Sequence, residues 1–393
     1  MIGDGWNDEP AVRPVSGLEP REGLRRVAVV TGSRAEFGLL RPVMRAVGTH
    51  PELELMVIAA GSHMIQPALT FRDVRAEFVV ADSVPMQLAG KTGRAADAEA
   101  VGRGIGRFVR SFTAIAPDWV VVLGDRIEAF AAASAASIGG WAVAHMHGGD
   151  RAEGIADEAM RHAITKLSHL HLPATAASGE RLVRMGEKPE FVQVVGSPAV
   201  DDLASIPPLT DDQFAELGSP DTLVLMHPVG RSDEMEEAVT GEVLAAVAGR
   251  RVLTLYPNHD AGRAGVLRGL QASGLRLVEH LPRPRFVGLL KRLAGSGVMV
   301  GNSSSGLIEA AVLGVRVVDI GPRQNGRERP ANVVHAESES ADGVKAAVAK
   351  ALALKPDPSA HPYGDGKAGQ RAAAALASID PRDPRLVRKR CVY

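Results

Sequence analysis

Acids, histidines, arginines and glycines recur directly after short apolar runs in this chain. Leu123-Gly124-Asp125-Arg126-Ile127-Glu128 follows one such run and His145-Met146-His147-Gly148-Gly149-Asp150 follows another. Asp157-Glu158 and Arg161-His162 come next, on a segment that reads as a helix. Carboxylates and imidazoles gathered in this way suit general acid/base chemistry, because burial and neighbouring charge shift their pKa values toward the working pH. Asp125, His147, Asp150 and Asp157 are the candidates for that work. A salt bridge between Asp125 and Arg126 that caps the following helix is the simpler structural reading of the first motif. His-x-His followed by Asp also resembles part of a hydrolase ligand set, but no further ligand-spaced cluster completes it and no metal is expected. His169 and His171, in a strand-like run, read as structural.

A second set of residues suits an anion. Thr31-Gly32-Ser33-Arg34-Ala35-Glu36 joins a strand to a helix; glycine permits the turn, the helix N-terminus attracts negative charge, and Arg34 can hydrogen-bond it. Val300-Gly301-Asn302-Ser303-Ser304-Ser305-Gly306 opens a helix carrying Glu309. Backbone N–H groups and three hydroxyls there can cradle a diphosphate, with Glu309 placed to bond a ribose diol. Serines that only cap a helix are the alternative. No Gly-Lys-Ser/Thr follows, which removes the main support for an ATPase. His227, in Met226-His227-Pro228, and Asn258, in Tyr256-Pro257-Asn258-His259-Asp260, end two further strands, and Gly321 to Arg327 supply cations, Arg323 among them.

The elements that must position these groups alternate along the chain. From Arg26, the apolar runs RRVAVV, LELMVIAAG, DWVVVLG, WAVAHMH and FVQVVG alternate with Ala/Leu/Arg-rich helical segments. Runs apolar throughout suit parallel strands covered on both faces. Paired prolines and clustered acids mark residues 201–221 as the boundary, and TLVLMH, RVLTLYP, LRLVEH, GVMVG and VRVVDIG then repeat the pattern. The expected fold class is α/β: two Rossmann-like doubly wound domains, with ligands beyond the carboxyl ends of the strands. The expected divisions are a leader over residues 1–24, a first domain over 25–205, a linker over 206–221, a second domain over 222–365 and a C-terminal helix and tail over 366–393.

Composition narrows the partners. With 393 residues there is chain enough for two domains, and 45 basic against 46 acidic residues give no global field for nucleic acid or an anionic membrane. The single cysteine, Cys391, cannot form an intramolecular disulfide, which suits a reducing compartment. Residues 1–24 lack the apolar stretch of a signal peptide and no segment is apolar enough to span a bilayer, so a soluble, cytoplasmic protein is expected.

Taken in order, VTGSRAEFGLLRPV, VLGDRIEAF, AHMHGGD, DEAMRHAITKLSHLHLPAT, HPV, YPNHDAG, LPRPRFVGLL, VGNSSSGLIEA and IGPRQNGRERPANVV resemble the hydrolysing UDP-N-acetylglucosamine 2-epimerases of sialic acid biosynthesis, over Val27 to Val334. The resemblance implies a fold similar to the GT-B glycosyltransferases, an active site between the domains, a UDP-sugar substrate, no cofactor, and a homodimer or homotetramer. It implies that Arg34 and Arg126 reach the diphosphate, that Ser303 and Ser304 cradle it, and that Glu309 binds the ribose. His227 and Asn258 lie near the diphosphate on this basis, and Arg323 is an active-site arginine. The implied reaction removes the proton at carbon 2, expels UDP from carbon 1, and hydrates the resulting 2-acetamidoglucal with protonation from the opposite face.

Many members carry glutamate where this chain has His147, and Gly-Gly-Glu where it has Gly-Gly-Asp150; the change bears on which face is protonated or which sugar fits. The same scaffold suits a modified sugar, such as a UDP-linked diacetamido-trideoxyhexose. The HGGD and NSSSG forms of the motifs disfavour a non-hydrolysing epimerase. A glycosyltransferase of the same fold needs an acceptor site rather than carboxylates flanking carbon 2, and a non-catalytic nucleotide-sugar sensor has no use for Asp125 and Asp157.

Overall fold

The computed structural model describes residues 21–66, 69–91, 93–151, 158–258 and 260–390. In the first half β1 (Arg25–Thr31), β2 (Leu53–Ala60), β3 (Val80–Val84), β4 (Trp119–Leu123), β5 (Ala142–Met146) and β6 (Leu170–Leu172) form one sheet in the order β3-β2-β1-β4-β5-β6. In the second half β7 (Thr222–Leu225), β8 (Val252–Leu255), β9 (Arg276–Val278), β10 (Val298–Gly301), β11 (Arg316–Asp319) and β12 (Val333–His335) pair in the order β12-β11-β10-β7-β8-β9. Every pairing is parallel. Counted from its own first strand, each half has the same order, reversing between β1 and β4 and between β7 and β10. Those reversals open the crevices in which doubly wound sheets bind ligands.

The apolar runs become strands because both their faces are covered. Val27, Val29, Trp119 and Val121 pack on one side with Leu40 and Val43, while Ala28, Val30, Val120 and Val122 pack on the other with Phe108, Phe112 and Ala132. Alternate residues of a strand point to opposite faces, so a strand buried on both must be apolar throughout. One expected strand is absent. FVQVVG makes a single bridge, His171 to Val192, and leaves Val194 48% exposed. β3 and β12 were not anticipated.

Residues 201–221 are more ordered than a linker reading suggests. Asp211–Glu216 forms a short helix with a capping box between Thr210 and Gln213, and Leu209 and Leu217 bury themselves in the second half's core. Ala199, Val200 and Leu203 pack with Val287, Ile308 and Tyr363, joining the halves. The chain then returns to the first half. The helix Ala368–Ser378 lies on the helix Arg34–Thr49, with Ala372, Ala373 and Leu376 in the first half's core. Gly369 permits this approach, since a Cβ there would stand 2.6 Å from the Pro42 carbonyl oxygen. Asp201 accepts from the backbone N–H groups of Ala368 (2.9 Å) and Gly369 (2.7 Å), fixing the start of the returning helix. Among the described residues no helix is long and apolar enough to cross a membrane.

Candidate active site

At the carboxyl end of β1, Ser33 caps the helix Arg34–Thr49 and Glu36 reaches back to the Gly32 N–H at 3.1 Å. The close turn at Gly32 has a specific cause: a Cβ there would meet the Cβ of Glu128 at 2.5 Å. Glu128 is fully buried, and Oε1 accepts from Gln87 Nε2 at 2.9 Å and from Ser62 N–H at 3.4 Å, while Oε2 lies 3.5 Å from Arg126 Nε. Burial, with Glu128 beside it, pushes the Glu36 carboxyl up to about 7. Arg34 is exposed on the first turn of its helix, and its charge adds to the burial that lowers His280 in the second half.

At the end of β4, Asp125 forms an ion pair with Arg161 of the helix Glu158–Leu167. Arg161 is 4% exposed; burial, and then Arg327 from the second half, push its guanidinium down to about 9, so it stays charged at neutral pH. His145 fixes the turn that carries Asp125. Its Nε2 donates to the Gly124 carbonyl at 2.8 Å and its Nδ1 accepts from Thr165 Oγ1 at 3.2 Å, tying β4, β5 and the Arg161 helix together. Burial holds this imidazole at about 3 and therefore neutral.

Beyond β5, His147 Nδ1 lies 2.8 Å from Asp150 Oδ2, and Asp150 Oδ1 accepts from Ser178 Oγ at 2.8 Å. Burial alone would raise the Asp150 carboxyl, but His147, then Arg327 and Ser178, outweigh it and the net direction is downward. Arg181 donates to the Gly149 carbonyl at 2.8 Å and pairs across the halves with Glu328, whose own carbonyl accepts from Tyr363 Oη at 2.8 Å. Charges of both signs from each half therefore meet here, Asp150 with Arg327 and Arg181 with Glu328.

The second half presents mostly uncharged donors. The Asn302 side chain clamps His227 in both directions, accepting from its N–H at 2.7 Å and donating to its carbonyl at 2.8 Å, which joins the ends of β10 and β7. His227 Nδ1 accepts the Asn258 N–H at 3.1 Å, so its proton sits on Nε2; burial, then Arg323, hold it at about 3 and neutral. Arg323 donates to the Pro228 carbonyl at 2.6 Å and to Asp260 Oδ2 at 3.2 Å, and Asn258 Nδ2 donates to the same Asp260 oxygen at 2.5 Å. Ser303 caps the helix Ser304–Leu307 through Ser305 N–H at 3.4 Å. The single helix expected to carry Glu309 breaks at Ile308, whose ψ is −77°, and Glu309 begins a separate piece, Glu309–Val312. Its carboxylate lies 3.4 Å from Arg283 Nη1, and Arg283 also bonds the Ala199 carbonyl at 2.6 Å.

Asp125, Arg126, His147 and Asp150 thus share one sheet crest with Arg34, and His227, Asn258, Ser303, Ser304 and Arg323 share the other. Asp157 and His259 lie outside the described residues. The partners Arg161, Glu128, Ser178 and Asn302 were not singled out from the sequence, although Arg161, Glu128 and Asn302 stand inside the motifs. Their roles depend on pairings across 28 to 75 positions that spacing does not reveal. Among the described residues no group of three or more His, Cys, Asp or Glu is placed to hold a metal ion.

Known proteins resemble this chain along most of its length. The UDP-N-acetylglucosamine 2-epimerase family matches residues 45–377. A UDP-N,N'-diacetylbacillosamine 2-epimerase (hydrolyzing) of Legionella pneumophila is 36% identical over 371 residues, covering 91% of this chain and 96% of its own. A UDP-N-acetylglucosamine 2-epimerase of Neisseria meningitidis is 32% identical over 329 residues, covering 81% and 85%. The fold is that of a UDP-GlcNAc 2-epimerase from Neisseria meningitidis bound to UDP-GlcNAc (TM-score 0.75, 18% identity, 90% of this chain and 100% of that one). It is also that of the S. aureus MnaA-UDP structure (TM-score 0.76, 18% identity, 90% and 96%). With 333 of its residues spanned by one family and relatives above 30% identity along most of its length, this chain is an enzyme of the UDP-N-acetylglucosamine 2-epimerase family.

Proposed function

We propose that the protein is a hydrolysing 2-epimerase that converts a UDP-linked 2-acetamidohexose and water into UDP and the free sugar inverted at carbon 2. UDP-N-acetylglucosamine, giving N-acetylmannosamine, is the parent substrate. The observation that carries this reading is the meeting of the Asp125, His147 and Asp150 cluster with Arg161 and Arg327, one cation from each half. Elimination of UDP needs a group to take the carbon-2 proton and fixed positive charge where the diphosphate departs. Asp125, His147, Asp150 and Asp157 are the acid/base set in this reading. Arg34, Arg126 and Arg323 face the diphosphate with the neutral donors His227, Asn258, Ser303 and Ser304, and Glu309 takes the ribose.

A second reading keeps the chemistry and changes the sugar. The Legionella pneumophila relative, at 36% identity and 91% coverage, acts by its name on UDP-N,N'-diacetylbacillosamine, which supports a 4-acetamido substrate here. Incubation with each UDP-sugar in deuterated water tests both. The expected product is free 2-epimerised sugar carrying deuterium at carbon 2, with one UDP released per sugar, and the faster substrate decides between the readings. Unlabelled product, a UDP-sugar returned intact with its carbon 2 inverted, or transfer of the sugar to an acceptor would sink the proposal.

A further inference from the structure

The acid/base candidates differ in what already holds them. Asp125 is committed to Arg161. Asp150 is 3% exposed and accepts on both oxygens, from Ser178 Oγ and from His147. A carboxylate can only accept, so Nδ1 of His147 carries the proton it shares with Asp150, which leaves Nε2 as the nitrogen whose lone pair the neutral imidazole can offer. Ser197 Oγ stands 3.3 Å from that Nε2, and the Ser197 N–H is itself anchored on the Tyr363 carbonyl at 2.9 Å. An aspartate, an imidazole and a hydroxyl therefore lie in line. His147 holds its place with a φ of +60°, left-handed backbone that few residues with a Cβ adopt. Arg327 of the second half is near enough to Asp150 to lower its carboxyl, which puts the line at the border between the halves.

Resting on the elimination reading above, we infer that His147 takes the carbon-2 proton through Nε2, and that Asp150 and Ser197 are its positioning residues rather than proton carriers. As the C2–H bond breaks, its electron pair forms the C1–C2 double bond, and the C1–O bond breaks with both its electrons leaving on UDP. The proton goes to Nε2, and the Asp150 carboxylate stabilises the imidazolium at Nδ1. Water then adds its hydroxyl to carbon 1 and a solvent-derived proton reaches carbon 2 from the other face, while His147 returns its proton to solvent. The Ser197 hydroxyl stands 3.3 Å from Nε2, a contact long enough to be exchanged for the carbon-2 hydrogen.

Three variants test this, each with UDP binding measured alongside turnover. His147→Asn suits the left-handed backbone, because asparagine tolerates it. It should lose kcat by at least ~10³-fold, a general acid/base loss at the upper end of its ordinary range, and keep UDP affinity within about threefold. Asp150→Asn offers an amide donor to Nδ1, moves the imidazole proton to Nε2 and blocks the base; a loss of roughly 10²- to 10⁴-fold in kcat with KM little changed is expected, as where a triad histidine is forced into the wrong tautomer. Proton abstraction then limits the rate, so a substrate deuterated at carbon 2 should show a larger isotope effect with Asp150→Asn than with the natural protein, a change that loosened packing alone does not produce. Ser197→Ala should change kcat by less than about tenfold, the ordinary size of one neutral hydrogen bond. His147→Asn turning over within tenfold of the natural protein, or Asp150→Asn with an unchanged isotope effect, overturns the assignment alone. Natural protein that releases no UDP from either sugar overturns the epimerase reading, and this inference falls with it.

Discussion

The two halves share one strand order and place their functional side chains at the same crest, yet the chemistry of the two crests is opposite. In the first half the crest is built from charge: Glu36 against Glu128 and Arg126, Asp125 against Arg161, Asp150 against His147. In the second it is built mainly from amides, hydroxyls and a neutral imidazole, with Arg323 already engaged by Asp260 and a backbone carbonyl. Architecture therefore fixes where a site lies and leaves what it does to the side chains. Proton transfer needs groups whose charge can change; gripping a nucleotide that must later leave needs donors whose state does not. On the proposed function, damage to the first crest appears in kcat and damage to the second in binding.

A large effect is expected where the first crest loses Asp125. Asp125→Asn should lower kcat by more than ~10²-fold with UDP binding kept, the range for a lost acid/base or electrostatic contribution. It also leaves the Arg161 guanidinium, 4% exposed, without its countercharge, which costs on the order of 3–5 kcal/mol. Adding Arg161→Met separates the two losses, since removing both charges should restore the melting temperature without restoring turnover. Asp125→Asn protein that keeps a tenth of natural activity, by direct UDP release, would remove Asp125 from the chemistry.

A smaller effect is expected at the second crest. Asn302→Ala deletes both hydrogen bonds to the His227 backbone and frees the loop that presents its Nε2–H. Two hydrogen bonds at about 1 kcal/mol each predict roughly 10- to 30-fold weaker UDP binding by calorimetry. At saturating sugar nucleotide kcat should be nearly natural. A fall in kcat larger than the fall in affinity would erase the division of labour between the halves.

How much of this was legible depended on what each residue faces. Strands such as Trp119–Leu123 and Val298–Gly301 read directly as strands because burial on both faces forbids polar residues. Val80–Val84 did not, because as an edge strand it carries Asp82 and Ser83. FVQVVG misled because apolar content says nothing of pairing: the Gln193 and Val195 N–H groups bond the His171 and Pro173 carbonyls alongside one short stretch, and the chain then turns through Gly196, at a φ of +93°, to meet Tyr363. Asp125, His147, Asp150 and His227 were visible as chemistry-bearing residues at strand ends. Their partners were not, because Arg161 meets Asp125 across 36 positions and Asn302 meets His227 across 75. The break at Ile308 carries no glycine or proline, and Ile308 instead packs with Val200, Val287 and Tyr363 between the halves.

The smallest expected effect concerns stability and compares the crests directly. Two buried carboxylates, Glu36 and Glu128, lie by one guanidinium, so a proton is retained where an exposed glutamate would have lost it. The folded Glu36 carboxyl stands at about 7 against an ordinary 4.5, so between those pH values the folded chain binds a proton that the unfolded chain does not. Stability contributed by this group is therefore full at pH 4.5 and below, and declines as pH rises through 7, by up to about 1.4 kcal/mol per pH unit. Glu36→Gln retains an oxygen for the Gly32 N–H and cannot lose a proton. Its melting temperature, measured against the natural protein from pH 5 to 8, should gain as pH rises to about 7 and level off above it. Asn302→Ala, which removes no titrating group, should lie a constant interval below the natural protein over the same range. If the Glu36→Gln difference is flat as well, the first crest holds no proton in reserve, and its contrast with the second rests on Asp125, His147 and Asp150 alone.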